Sequence, residues 1–174
     1  MRIAALALAL CLGFVTSAAL AHGPTRQKVT ESVTVNATPQ KVWDAIKDFD
    51  ALAKWHPAVA QSPATKGNDV GSVRTITLKD GGKIVETLED YSAEKMTYKY
   101  RAADGGALPV TNYSSTLSVK PADGGKALVE WRGAFYRAYP NNNPPPGQDD
   151  EAAVKAITGV YQSGLANLQK MVEK

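Results

Sequence analysis

The stretch DDEAAVKAITGVYQSGLANLQKMV, residues 149–172, decides the fold. Val154, Ile157, Tyr161, Leu165, Leu168 and Val172 recur in it at three- and four-residue intervals, which predicts an amphipathic helix with one buried stripe. Asp149 or Asp150 supplies its N-cap. Two internal glycines, Gly159 and Gly164, each cost about 1 kcal/mol relative to alanine in an exposed helix. They are expected to allow close approach of a sheet or of a ligand.

Everything before this helix reads differently. Residues 139–147 hold three asparagines and four prolines, which cannot pair in a sheet and must form a loop. Upstream lies a meander: 71–79 and 83–90 joined through Asp80-Gly81-Gly82, then 96–102, then 110–120 joined through Asp123-Gly124-Gly125 to 127–137. An alternating strand over 28–36 carries Val29, Val33 and Val35. Thr38-Pro39 then starts a helix whose buried face is Val42, Trp43 and Ile46, and a second short helix covers 50–55 until His56-Pro57 ends it. A short strand over 58–62 completes about seven. The order predicts an α+β, helix-grip architecture: a curved antiparallel sheet of about seven strands wrapped around one long C-terminal helix, with two short helices after the first strand. A sheet that curls around a helix without closing on it tends to leave an apolar hollow, a common small-molecule site.

The first residues stand apart. Arg2, the apolar run over 3–15 and Ala19-Leu20-Ala21 have the three parts of a secretory signal peptide, too short to span a bilayer. The reading is a signal peptide over 1–21 and a single exported domain over 22–174, without a membrane span. Cys11, the sole cysteine, leaves with the leader, so the mature chain has no disulfide and no thiol chemistry. The formal net charge of +3 comes from residues spread along the sequence, with no nucleic-acid footprint. Lys41, Lys47 and Lys54 fall near the first helices, as a solvated surface or a weakly basic face for an acidic protein.

Strand parity places the polar groups. With Leu78 and Ile84 flanking the Asp80-Gly81-Gly82 turn on the inner face, Arg74, Ile76, Glu86 and Leu88 share that face. Arg74 and Glu86 then sit diagonally on adjacent strands, either as a pair that presents hydrogen-bonding edges to a ligand or as a half-wet ion pair at the rim. Trp131 shares a parity with Val129, Gly133 and Phe135, and Tyr98 and Tyr100 with Met96. These aromatics line a cavity or fill it as core.

Gly71-Ser72-Val73-Arg74, Glu86-Thr87-Leu88, Asn112-Tyr113-Ser114-Ser115 and 165–170 (LANLQK) resemble, in order and spacing, the START-like helix-grip superfamily called SRPBCC, which includes polyketide cyclases, birch-pollen allergens and abscisic-acid receptors. The resemblance implies that Glu86, Tyr113 and Ser115 face a cavity and contact a ligand. The receptors' gating loop is replaced here by the tight turn at Asp80-Gly81-Gly82. Trp55-His56-Pro57, the stretch LPVTNY over 108–113 and GVYQSGL over 159–165 look closest to periplasmic MxaD-like accessory proteins of bacterial methanol oxidation. That resemblance implies a role beside a quinoprotein dehydrogenase and its cytochrome c acceptor.

The expected function is therefore a non-catalytic periplasmic accessory protein that assists those two partners, with no cofactor and no metal. The alternatives are a carrier or sensor of a small apolar ligand held by Arg74, Glu86, Tyr100, Tyr113, Ser115 and Trp131, or a cyclase-type enzyme in which His56 acts with Tyr113 or Glu86. The sequence has no nucleophile elbow, phosphate loop or metal-ligand cluster. Cleavage after Ala21 would place His22 at the N-terminus, where its amino group and imidazole could chelate copper with His56 as the second ligand. Trp55, His56 and the Asn/Pro loop are the expected partner surface, because they are expected to be exposed.

Overall fold

The computed structural model describes residues 23–174. The leader, Cys11 and His22 lie outside them. A seven-stranded antiparallel sheet runs in the order β1-β7-β6-β5-β4-β3-β2, from β1 (Gln27–Val35), β2 (Val59–Gln61), β3 (Val73–Leu78), β4 (Lys83–Ser92), β5 (Thr97–Ala102), β6 (Val110–Ala122) and β7 (Lys126–Arg137). Helices α1 (Pro39–Ile46) and α2 (Leu52–Trp55) follow β1, with a 3-10 turn at Phe49–Ala51 between them, and α3 (Asp150–Val172) closes the chain. This is the expected helix-grip arrangement.

Local chemistry sets the ends of the helices. Thr38 caps α1 through its hydroxyl, which accepts from the Lys41 amide at 3.3 Å, and Pro39 occupies the first helical position. Asp149 caps α3 by accepting from the Ala152 amide at 2.8 Å. Asp150, one residue on, accepts from Arg137 Nη1 at 2.9 Å and from the Thr25 hydroxyl at 2.6 Å, tying the start of α3 to the end of β7 and the start of β1. Arg137 also donates to the carbonyls of Tyr139 and Asn141, so one guanidinium anchors the Asn/Pro loop.

The core lies between the concave face of the sheet and the helices. Ile157, Tyr161, Leu165, Leu168 and Val172 of α3 are buried against Val29 and Val35 of β1 and Val129, Trp131 and Phe135 of β7. Besides a register shift between Val59 and Gln61 of β2, two bulges break the alternation of the sheet. One, between Leu88 and Asp90, turns Tyr91 inward; the other, between Thr111 and Ser114, is built on Asn112 at φ 48°. Asp104 accepts from the Asn112 amide at 2.7 Å and Arg101 donates to its side-chain oxygen at 2.8 Å, holding this left-handed residue in place. Strict alternation from inward Val110 would point Tyr113 and Ser115 at solvent. The extra residue turns both into the grip, where they are buried.

Candidate functional site

Arg74 and Glu86 are direct cross-strand partners rather than diagonal ones. Their side chains are only 1% and 4% exposed, which overturns the half-wet rim pair. Arg74 donates to Glu86 Oε2 from Nη2 at 2.5 Å and from Nε at 3.0 Å, and to the Phe49 carbonyl from Nη1 at 2.7 Å. The guanidinium also lies over the Phe49 ring, 4.1 Å from its centroid. Burial presses Arg74 toward neutrality, but Glu86 opposite it, together with Tyr98 and Tyr100, more than compensates, so it stays charged.

A second cluster surrounds Tyr161 of α3. Its hydroxyl pairs with the Tyr113 hydroxyl at 2.7 Å and with Ser115 Oγ at 2.8 Å, and its ring stacks on Trp131 with centroids 4.5 Å apart. Trp131 Nε1 donates to both Tyr100 Oη and Ser115 Oγ at 3.0 Å. Ser115 Oγ in turn donates to the Arg132 carbonyl at 3.0 Å. The helix and three strands are thus joined by hydroxyls that satisfy one another. Burial pushes Tyr98 up to about 12 and raises Tyr100, Tyr113 and Tyr161 as well, so all four are neutral hydrogen-bonding groups.

What space is left is a cavity of about 90 Å³ bounded by α2, α3 and the strands β2 to β7. Its wall is apolar, with Leu52, Val59, Ile76, Ile84, Leu108 and Val160 prominent, and Glu86, Tyr100, Tyr113, Trp131 and His56 reach it. Drug-sized ligand pockets span roughly 300–1,000 Å³, and an engineered apolar cavity that binds benzene is about 150 Å³. The grip is mostly filled by its own aromatic side chains. The turn at Asp80-Gly81-Gly82 packs against Ala107, whose amide donates to the Lys83 carbonyl at 2.8 Å.

A family model described as polyketide cyclase / dehydrase and lipid transport matches residues 26–173. The chain belongs to the polyketide cyclase/dehydrase and lipid transport family. Among solved structures, the protein XoxI from Bacillus cereus is 33% identical, with 83% of this chain and 94% of that chain covered and a TM-score of 0.71. An uncharacterized protein from Bacillus thuringiensis is 31% identical, with coverages of 85% and 100% and a TM-score of 0.72. The Zhui aromatase/cyclase from Streptomyces sp. R1128, at 15% identity, coverages of 86% and 94% and a TM-score of 0.72, shares the fold. No curated protein matches the chain.

In this member of the polyketide cyclase/dehydrase and lipid transport family, four of the six expected ligand residues line the cavity. Glu86, Tyr100, Tyr113 and Trp131 reach the cavity, whereas Arg74 and Ser115 stand behind it, holding Glu86 and Tyr161. The expected partner surface is corrected. Trp55 is 1% exposed and His56 4%, because α2 folds under α3 and delivers both rings to Trp131. The Asn/Pro loop is exposed as expected.

The His56 ring is fully engaged. Its Nε2 donates to the Val160 carbonyl at 3.0 Å, since a carbonyl only accepts, and Nδ1 accepts from the Ala58 amide at 3.3 Å. That geometry requires neutral imidazole. It leaves no free ring nitrogen for a general base or for the copper site with His22. Among the described residues, no three His, Cys, Asp or Glu side chains gather as a metal site would need, and no helix is long and apolar enough to cross a membrane.

Tyr161 is the residue that sequence reasoning undervalued. It appeared only as part of the buried stripe of α3. The available signal was chemical: a hydroxyl in an otherwise aliphatic buried row has to find partners. Gly164 is the other. A Cβ there would lie 2.7 Å from His56 Cδ2 and 2.9 Å from Trp131 Cζ3, so the glycine admits the two rings to the helix backbone, whereas Gly159 meets nothing within 4 Å.

Proposed function

We propose that this protein is a non-catalytic periplasmic accessory factor that acts by docking, assisting a quinoprotein (methanol) dehydrogenase in its interaction with a cytochrome c acceptor. The observation that carries this reading is the filled grip. The polar groups that would have to bind or turn over a substrate are already bonded to one another, and the space between them is smaller than a benzene site. His56, the one histidine at the cavity, has both nitrogens occupied. The specific partners rest on the resemblance of the Trp55-His56-Pro57, LPVTNY and GVYQSGL stretches to MxaD-like proteins, and membership of the family is compatible with it. The test is electron transfer from purified dehydrogenase to purified cytochrome c, with and without this protein. Faster transfer or a lower KM for the cytochrome supports the proposal, and an unchanged rate at saturating protein overturns it.

The cavity itself favours a second reading, a small apolar ligand. Its wall is apolar with the Glu86 carboxyl at one side, the usual composition of a small-molecule site. Native mass spectrometry of protein purified from its own host, beside the same protein refolded from denaturant, distinguishes the two. A co-purifying molecule lost on refolding would promote the ligand reading.

A further inference from the structure

Resting on the docking role proposed above, we infer that the outward face of the sheet is the docking surface, and that its partner is a protein presenting carboxylates. The cations that are scattered along the sequence are gathered by the sheet register. One row across the strands runs Lys28, Ala134, Ser114, Arg101, and the neighbouring row runs Thr30, Arg132, Thr116, Lys99. Lys83, Lys120 and Lys126 point to the same side by strand alternation. Against these seven cations the face carries three carboxylates, Glu89, Asp90 and Glu130. The whole chain has a formal charge of only +3, so this face holds more than the entire excess. Two of the three lysines near the first helices are engaged elsewhere: Lys47 pairs with Asp44 at 2.7 Å, and Lys41 donates to the Val172 carbonyl at 2.8 Å.

The acids are too few for the bases. Glu89 serves both Lys99 at 2.7 Å and Arg101 at 2.5 Å, and Glu130 is 3.3 Å from Lys120 and 3.9 Å from Arg132. Arg132 has 60% of its side chain exposed and Lys120 53%, leaving donors open to an incoming carboxylate. Small side chains at Ser114 and Ala134 make a depression of about 380 Å³ between Lys28 and Arg132, edged by the hydroxyls of Thr30 and Thr116. An acidic side chain of a partner fits there.

The mixed signs select the class of partner. Glu89, Asp90 and Glu130, set among the cations, repel a uniform polyanion such as nucleic acid, yet give a protein surface a pattern to register against. A bilayer would need apolar groups to insert. Among the described residues, the large exposed apolar side chains are Val70, Val85 and Met171, and Val85 alone lies on this face.

The experiment measures binding of the protein to the purified dehydrogenase and, separately, to its cytochrome c, with anionic phosphatidylglycerol vesicles and duplex DNA as the competing occupants. One variant carries Lys28→Glu, Lys99→Glu and Arg132→Glu. A control carries Lys54→Glu, Lys155→Glu and Lys170→Glu, the same charge change on positions of α2 and α3. We expect the sheet variant to weaken binding roughly tenfold or more, the control to leave it unchanged, and salt at about 0.15 M to weaken the native complex. Carbodiimide coupling of the mixture with whichever redox protein binds, which joins a lysine amine directly to a carboxylate, should map Lys28, Lys99 or Lys120 to acidic residues of that protein. Equal binding by both variants overturns the surface while leaving the functional proposal standing. Binding to either redox protein that the sheet variant weakens, with electron transfer between them unchanged, overturns the functional proposal and keeps the surface, whereas no binding to either overturns both. Absence of products there, or preference for vesicles or DNA, overturns the surface.

Discussion

Arg74 and Glu86 face each other in register across β3 and β4, both buried, and are joined by two hydrogen bonds to the same carboxylate oxygen. The third contact, from Arg74 Nη1 to the Phe49 carbonyl, reaches the turn between α1 and α2. The pair therefore pins the helical segment to the sheet, at the inner side of the cavity. Its role follows from desolvation: each charge is tolerated there only because the other is present.

Arg74→Met alone should strand the Glu86 carboxylate and cost about 3–5 kcal/mol, whereas Arg74→Met with Glu86→Leu should recover most of that loss. Urea unfolding of the two variants beside the native protein checks this. A double variant less stable than Arg74→Met would mean that the charged pair itself, rather than its completeness, supports the fold.

The two glycines of α3 should separate. Gly164→Ala pushes a methyl group into His56 and Trp131 and should destabilise by about 1–3 kcal/mol, the range for overpacking. Gly159→Ala has open space around it and should stabilise by about 1 kcal/mol through helix propensity. Thermal melts of both variants read the difference, and equal shifts would contradict the packing described for Gly164.

Acid should loosen the α2–β2 connection. Burial, with a smaller push from Arg74, lowers the His56 pKa below the ordinary histidine value, while its bond to the Val160 carbonyl works the other way. The unfolded chain thus takes up the His56 proton at a higher pH than the folded one does. Stability should be full above about pH 6.5 and fall as pH drops below it. His56→Gln should flatten this part of the profile, measured as urea midpoint against pH. A carboxylate component, from Glu89 and Asp150 with their lowered pKa values, should appear separately at lower pH.

At the alkaline end the sign reverses. Tyr98, Tyr100, Tyr113 and Tyr161 are held neutral by burial, so the unfolded chain ionises first and stability should fall as pH rises above about 10. Tyrosinate absorbance should show these four titrating together with unfolding rather than singly. Tyr161→Phe, which removes the hydroxyl shared by Tyr113 and Ser115, should cost about 1–3 kcal/mol through the partner groups it leaves short.

Much of the fold was legible because it is written in periods. The valines of β1, the Thr38-Pro39 start of α1, the glycine turns and the buried stripe of α3 are local signals, and each element formed where its local chemistry asked. Parity also placed Arg74, Ile76, Glu86 and Leu88 together on the inner face. It could not have placed Tyr113 and Ser115, because the bulge at Asn112 resets the count, and that bulge depends on Asp104 and Arg101 from elsewhere in the chain.

By itself, the sequence determined the order of elements, the family pattern and the placing of Arg74 and Glu86 on the inner face, since these depend on residues a few positions apart. Only the tertiary structure decided that the grip is nearly full, that Trp55 and His56 are buried under α3, and that scattered lysines and arginines meet on one outer face. Those outcomes depend on volume and on register between distant strands. Neither is encoded in any window of the chain short enough to be read alone.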